Sequence, residues 1–343
     1  MSGSVPARAS MPVPAVIITG TGHAVPSQVV TNAMLSATLG EDIDAFVAGT
    51  LGIRERRWCA PHESTADLAE GAARMALEAA GCAATDIDLL IVATDTPEYI
   101  SPATSSELHG RLGCVGGGTF DVNAGCAGFV TALDIAWRYL ATDPRCSRAL
   151  VVGAYAMSRW LDRTDKKTST IFADGAGAVV VERGERPGVL ASELFADGRL
   201  ARDMGVYAGG AREPITQAVL DEGIRHRLRF VRKYPAAVNE QGWPRIVRSV
   251  LAQAGLTPDD VQLWLWTQVN RSTIVQVMDT LGRPMARAHT IMHKWGYTGS
   301  ACLPMALDDA VRAGRLAEGD LVVLTGSGAG LAMGSLALRW RTR

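Results

Sequence analysis

One thiol stands between two glycines in Asn123-Ala124-Gly125-Cys126-Ala127-Gly128-Phe129. Residues 119–122 read as a buried strand and 127–140 as an apolar helix, so Cys126 falls at the turn where strand becomes helix. The positive ends of the peptide dipoles meet at a helix's first turn, which favours a thiolate and predicts a lowered pKa. The flanking glycines let the backbone or thioester of another molecule approach. Residue type and position together point to a covalent nucleophile. A buried apolar cysteine with a packing role fits the same local residues.

No other group of residues has comparable chemistry. The remaining cysteines, at 59, 82, 114, 146 and 302, form no Cys-x-x-Cys pair and no metal-ligand cluster. His289 and His293 lie four apart and would share a face on a helix, but by themselves they define no metal centre, and no metal is expected. The glycine-rich stretch 326–334 runs from strand to strand, whereas a dinucleotide loop opens a helix. Basic and acidic residues number 34 and 35, so no excess charge points to nucleic acid or an anionic membrane. No apolar run reaches a membrane span and no signal peptide is evident. A chain of 343 residues has no need of disulfides, and a reducing, cytoplasmic setting is expected.

The elements that must hold Cys126 alternate between strand and helix. Residues 1–14 read as a disordered tail of small residues and prolines. A strand at 15–19 precedes an alanine-rich amphipathic helix at 67–80, which Ser64 or Thr65 can cap. The apolar run 87–94 reads as a strand covered on both faces, as does 148–154. The second half repeats this order. Ala80-Gly81-Cys82 leads into Leu89-Leu90-Ile91-Val92, and Ala254-Gly255-Leu256 leads into Leu263-Trp264-Leu265-Trp266, an offset of 174. The same offset carries Cys126 onto Ser300, at the start of a second apolar helix. The chain is therefore α/β, with two duplicated halves, 15–185 and 186–343.

Asn123-Ala124-Gly125-Cys126-Ala127-Gly128-Phe129, together with Leu51-Gly52-Ile53-Arg54-Glu55-Arg56, the stretch 172–177 and Gly328-Ala329-Gly330-Leu331-Ala332-Met333-Gly334, resembles the ketoacyl synthase III-type condensing enzymes of the thiolase superfamily. The resemblance covers about residues 15–341 and implies a five-layered αβαβα thiolase-like fold. It also implies a homodimer, with 100–125 near the interface. The activity it implies takes an acyl group from a coenzyme A or acyl-carrier-protein thioester onto cysteine, and no cofactor beyond that substrate is implied.

Two departures bear on mechanism. The family's histidine segment is matched by Trp266-Thr267-Gln268-Val269-Asn270, with Thr267 in the histidine's place. Its Gly-Asn-Thr-Ser segment is matched by Gly296-Tyr297-Thr298-Gly299-Ser300, with Tyr297 in the asparagine's place. In the family those two side chains hold the enolate formed when carbon dioxide leaves. Threonine and tyrosine each offer a hydroxyl and neither is a cation at neutral pH. Decarboxylation should suffer more than acylation, which needs only a thiolate and backbone donors at Cys126 and at Gly328 or a neighbour.

The expectation is an acyltransferase of a specialised biosynthetic pathway, passing an acyl group from Cys126 to an oxygen, nitrogen or activated carbon nucleophile. The alternatives are decarboxylative Claisen condensation with a malonyl thioester and a non-catalytic scaffold or partner subunit. Tyr297, with a depressed phenol, Glu98, His289 or His293 would supply the missing base. Phe46 and Thr50 stand where the family has a tryptophan and an arginine for coenzyme A. With Arg54, Ser101 and Asn270 they complete the expected substrate contacts, and Lys166 and Lys167 remain for phosphates. The arginine-rich region 199–229 could receive an acidic acyl carrier protein.

Overall fold

The computed structural model describes residues 15–341, so the expected tail at 1–14 lies outside the described residues. Two sheets carry the architecture. The first contains β1 (Val16–Ala24), β2 (Leu89–Ala93), β3 (Gly118–Val122), β4 (Arg148–Ala156) and β5 (Asp174–Arg183), in the order β1-β5-β4-β2-β3. The second contains β6 (Val189–Ala196), β7 (Leu263–Trp266), β8 (Leu321–Gly328) and β9 (Ala332–Arg339), in the order β7-β8-β9-β6.

The strand pairing repeats between the halves, with the parallel register one residue short of the 174 offset. β2 pairs in parallel with β4, Leu89 opposite Ala149, and β7 pairs in parallel with β8, Leu263 opposite Val322. β4 runs antiparallel to β5, and β8 runs antiparallel to β9. Beyond β7 a single parallel bridge, Trp264 to Ala288, stands where β3 continues the first sheet.

Helices α1 (Thr65–Ala80), α2 (Gly128–Thr142), α3 (Gly242–Gln253) and α4 (Cys302–Arg312) supply the other layers. α1 covers the outer face of the first sheet through Ala69, Ala72, Ala73, Ala76 and Ala80, whose small side chains allow close approach. A capping box of Ser64 and Asp67 starts it. α2 and α4 pack between the sheets, each touching both, and α3 covers the outer face of the second. The result is the five-layered αβαβα thiolase-like fold.

Every residue of β2 is buried, because the helix Thr104–Leu112 and α2 cover it from opposite sides. The second half is tied to the first by Asp308 of α4, which accepts hydrogen bonds from Thr21 Oγ1 at 2.6 Å and from the ring of His23, both on β1. On the far side Trp243, Trp266 and Trp264 stack in a column, with centroids 5.4 and 5.5 Å apart, so that α3 is fixed against β7. Among the described residues, no helix is long and apolar enough to cross a membrane, and no group of three His, Cys, Asp or Glu could hold a metal ion.

Candidate active site

Cys126 follows the end of β3 by four residues, and α2 begins two residues after it. Gly125 makes the turn with a φ of 52°, a conformation that disfavours a side chain. The end of β8 crosses directly over this turn. A Cβ on Gly328 would lie 2.3 Å from the Cys126 amide nitrogen, so only glycine fits there. Cys126 borders a cavity of about 320 Å³, which Tyr297, Ser327, Gly328, Asn270, Asn239 and Tyr234 also line.

The electrostatics reverse one expectation. The Cys126 thiol is pushed well up from its ordinary value, by burial first and by the nearby Asp95 carboxylate second. Desolvation of a charge inside the protein exceeds what one helix terminus returns. A hydrogen bond with the Tyr297 hydroxyl works the other way and favours the thiolate. Tyr297 is held in place by backbone bonds from its N–H to Ile171 and from the Ala173 N–H to its carbonyl, and its ring packs 5.5 Å from that of Phe172. Its own phenol is raised by burial and by Cys126. It is therefore a proton-bearing donor at neutral pH, not the depressed phenol expected of a base.

Thr267 is buried at the end of β7, and its Oγ1 accepts the Ser327 N–H at 3.0 Å. It borders the strand that carries Ser327 and Gly328 but does not line the cavity. Its hydroxyl oxygen therefore orders β8. Asn270 does line the cavity, with its carbonyl oxygen accepting from Ser272 N–H at 2.9 Å as the cap of the next helix.

The three expected replacement bases lie elsewhere. Glu98 accepts from the Ala66 N–H at 2.8 Å and caps α1. His289 is 2.8 Å from Asp309. His293 faces a separate hollow with Arg54 and Arg271, and its pKa is lowered by burial and by Lys294. No histidine lines the Cys126 cavity among the described residues. The spacing of 289 and 293 carried no information on which way the rings face, and the acidic partner of His289 comes from α4.

The expected entrance is partly assembled. Phe46 sits on an apolar hollow of about 500 Å³ with Leu51, Phe230 and Val231, ringed by Lys166, Lys167 and Lys233. Leu51, Ile171, Phe230 and Lys233 border this hollow and the Cys126 cavity alike, so the two adjoin. Thr50 is exposed on the helical turn Val47–Leu51, Arg54 lies in the neighbouring polar hollow, and Ser101 is exposed in a loop outside the cavity. Tyr234, Asn239, Glu240 and Ser327 were not anticipated. The segment 233–240 has no motif, and only its fold onto β8 brings it to Cys126.

With this geometry in view, the comparisons with known proteins define a class. The chain matches the models "3-Oxoacyl-[acyl-carrier-protein (ACP)] synthase III" over residues 120–198 and its C-terminal counterpart over 251–340. It is 40% identical over 324 residues to the β-ketoacyl-[acyl-carrier-protein] synthase III of Alkalilimnicola ehrlichii, covering 94% of this chain and 98% of that one. It is 37% identical over 326 residues to acetoacetyl CoA synthase NphT7 of a Streptomyces species, covering 94% and 98%. The priming β-ketosynthase from the R1128 polyketide biosynthetic pathway superposes with a TM-score of 0.89 at 29% identity, covering 98% and 99%.

The chain belongs to the ketoacyl synthase III family of the thiolase superfamily. It is an enzyme of the acyltransferase class, acting on acyl thioesters.

Proposed function

We propose that this enzyme is a carbon–carbon condensing enzyme. The acyl group of a coenzyme A or carrier-protein thioester passes to Cys126 Sγ, and the donor thiol leaves with a proton. A malonyl-type thioester then loses carbon dioxide. The electron pair of the broken C–C bond forms an enolate, whose carbon attacks the acyl-Cys126 carbonyl. The Cys126 thiolate is expelled and takes a proton from solvent, and a β-keto thioester departs.

The observation that carries this reading is Cys126 itself, the one thiol lining the 320 Å³ cavity among the described residues, in a chain similar almost end to end to relatives named for C–C condensation. Backbone N–H groups at Cys126 and near Gly328 are the donors suited to the acyl carbonyl. The Tyr297 phenol, which stays protonated, takes up part of the donor role left by the missing imidazole and amide. The open cavity also speaks against a mere scaffold.

A second reading keeps acyl-Cys126 but delivers the acyl group to an oxygen, nitrogen or preformed carbon nucleophile in a specialised pathway. One observation favours it: Thr267 stands in the imidazole's place with its hydroxyl oxygen already engaged. The relatives' names support it less well than condensation. A homodimer in the cytoplasm, and the two halves 15–185 and 186–343, complete the reading, with the lysine-ringed hollow at Phe46 receiving the phosphates of the donor.

Acyl-enzyme is to be given a malonyl thioester while carbon dioxide and β-keto product are measured together. Condensation predicts both in equal amounts, and neither from Cys126→Ala. Acyl-enzyme that releases no carbon dioxide but is consumed by an amine or alcohol would establish the second reading.

A further inference from the structure

The family's donors to the second substrate are missing here, yet the wall facing Cys126 is not bare of donors. Ser327, the penultimate residue of β8, is tied on both sides. Its N–H donates to Thr267 Oγ1 at 3.0 Å, and its Oγ donates to Asn239 Oδ1 at 2.8 Å. Thr267, Ser327 and Asn239 thus form one continuous chain of hydrogen bonds, running from the imidazole's place to the opposite wall of the cavity.

Two anchors hold that wall. Asn239 belongs to the short helix Ala237–Glu240, and a few residues earlier the Tyr234 hydroxyl accepts from the Gly330 N–H at 3.3 Å. The segment 234–240 is therefore clamped to the same loop that crosses Cys126. With its oxygen held by Ser327, the Asn239 carboxamide has a fixed orientation. Its nitrogen bonds to no described residue, and the side chain lines the cavity with Cys126. An amide oriented on one side and free on the other is a donor prepared for a ligand.

We propose that Asn239 is an acceptor-binding residue. Its side-chain NH2, oriented through Ser327 and Thr267, donates to the thioester carbonyl oxygen of the malonyl-type acceptor. This rests on the condensing reading above. The carbonyl oxygen gains negative charge as the enolate forms, so the bond strengthens as the reaction proceeds. Thr267 and Ser327 act at a distance as positioning residues. The substitution of histidine by threonine then has a use: it fixes the strand that orients a donor from the other wall.

Asn239→Asp is the discriminating change, because a carboxylate still accepts from Ser327 but has no hydrogen to donate. Acetyl-CoA loads Cys126, followed by intact mass, and malonyl-CoA then discharges the acyl-enzyme, each step timed separately. The acceptor step is expected to fall about thirtyfold in Asn239→Asp, at least tenfold more than the loading step. It recovers as pH falls through the carboxyl titration, since a protonated carboxyl regains a donor. Ser327→Ala, which frees the amide to rotate, lowers the acceptor step about fivefold.

Equal losses in both steps, or no pH recovery, would mean that Asn239 only supports the fold and would overturn the inference. Wild-type acyl-enzyme that malonyl-CoA never discharges would instead sink the condensing reading, and the inference with it.

Discussion

The duplicated fold builds the same strand-to-helix turn twice, and among the described residues only one copy opens onto a cavity. Adding 174 to Cys126 gives Ser300, and α2 and α4 begin at Gly128 and Cys302, the same offset apart. Both helices lie between the two sheets. Yet Cys126 borders the cavity, whereas Ser300 is fully buried and its Oγ donates to the Ala154 carbonyl at 2.9 Å. Asp95 differs from its counterpart in the same way. It is a carboxyl within electrostatic range of Cys126, while 174 residues on the place is taken by apolar Val269. The fold offers two equivalent helix starts. What sets the first apart is the 233–240 segment opposite it, which leaves room for a substrate.

The sharpest break of this comparison exchanges chemistry for inertness at the two turns. Cys126→Ala is expected to abolish the acyl adduct seen by intact mass, a loss of at least ~1,000-fold. Cys302→Ala should still form it. Cys302 is fully buried, pushed up to about 12 chiefly by burial, and does not line the cavity. An adduct that survives in Cys126→Ala and disappears in Cys302→Ala would reverse the assignment of the two halves.

Asp95 tests what the cavity-bearing half costs in stability. Burial raises its pKa to about 6, and its Oδ1 is buried without a hydrogen-bond partner among the described residues. A carboxyl whose folded pKa lies above its unfolded value favours folding while protonated. That advantage disappears as pH rises from the unfolded value, about 3.8, through about 6. A shift of that size is worth at most ~3 kcal/mol. Asp95→Asn is expected to match the wild type near pH 3.5 and to exceed it in denaturant midpoint at pH 8. A wild type that gained stability from pH 4 to 7 relative to Asp95→Asn would contradict this sign.

Tyr297 sharpens the comparison from the side of the nucleophile, because it reaches across from the second half to the thiol of the first. Removing its hydroxyl in Tyr297→Phe takes away the side-chain hydrogen bond that opposes burial at Cys126 and leaves only a backbone one. The thiol pKa rises further, and alkylation by iodoacetamide at pH 8 should slow ten- to a hundredfold, as expected for losing a hydrogen bond to a charged group. The rate should recover when pH is raised. Unchanged alkylation across the pH range would show that the hydroxyl does not govern the thiolate.

Much of the fold could be read from the sequence, since the run Leu89-Leu90-Ile91-Val92 and its echo at Leu263 identify matched central strands whatever packs on them. Cys126 was equally legible, because a turn between glycines is a local feature. What failed was everything decided by distant packing. The helix terminus at Cys126 predicted a lowered pKa, but burial by both halves raises it. Glu98, His289 and His293 were plausible bases as residue types, yet Glu98 accepts from Ala66, His289 pairs with Asp309, and His293 lines a separate hollow with Arg54. Tyr234 and Asn239 could not be found in the same way, because their partners Gly330 and Ser327 lie about ninety residues away in sequence.

The smallest effect belongs to the silent turn. Ser300 occupies the place equivalent to Cys126, and its hydroxyl donates to the Ala154 carbonyl on β4. Ser300→Ala therefore leaves one buried acceptor with a lost partner and removes little volume. The expected cost is ~1 kcal/mol in unfolding free energy, with acylation of Cys126 unchanged within about twofold. Ser300→Cys asks the converse question. A thiol there has the same strand-to-helix setting but no cavity, so iodoacetamide should label it at least ~100-fold more slowly than Cys126 in the folded protein. If the new thiol reacted as fast as Cys126, the helix start alone would be enough for reactivity, and the cavity built by 233–240 would not be what separates the two halves.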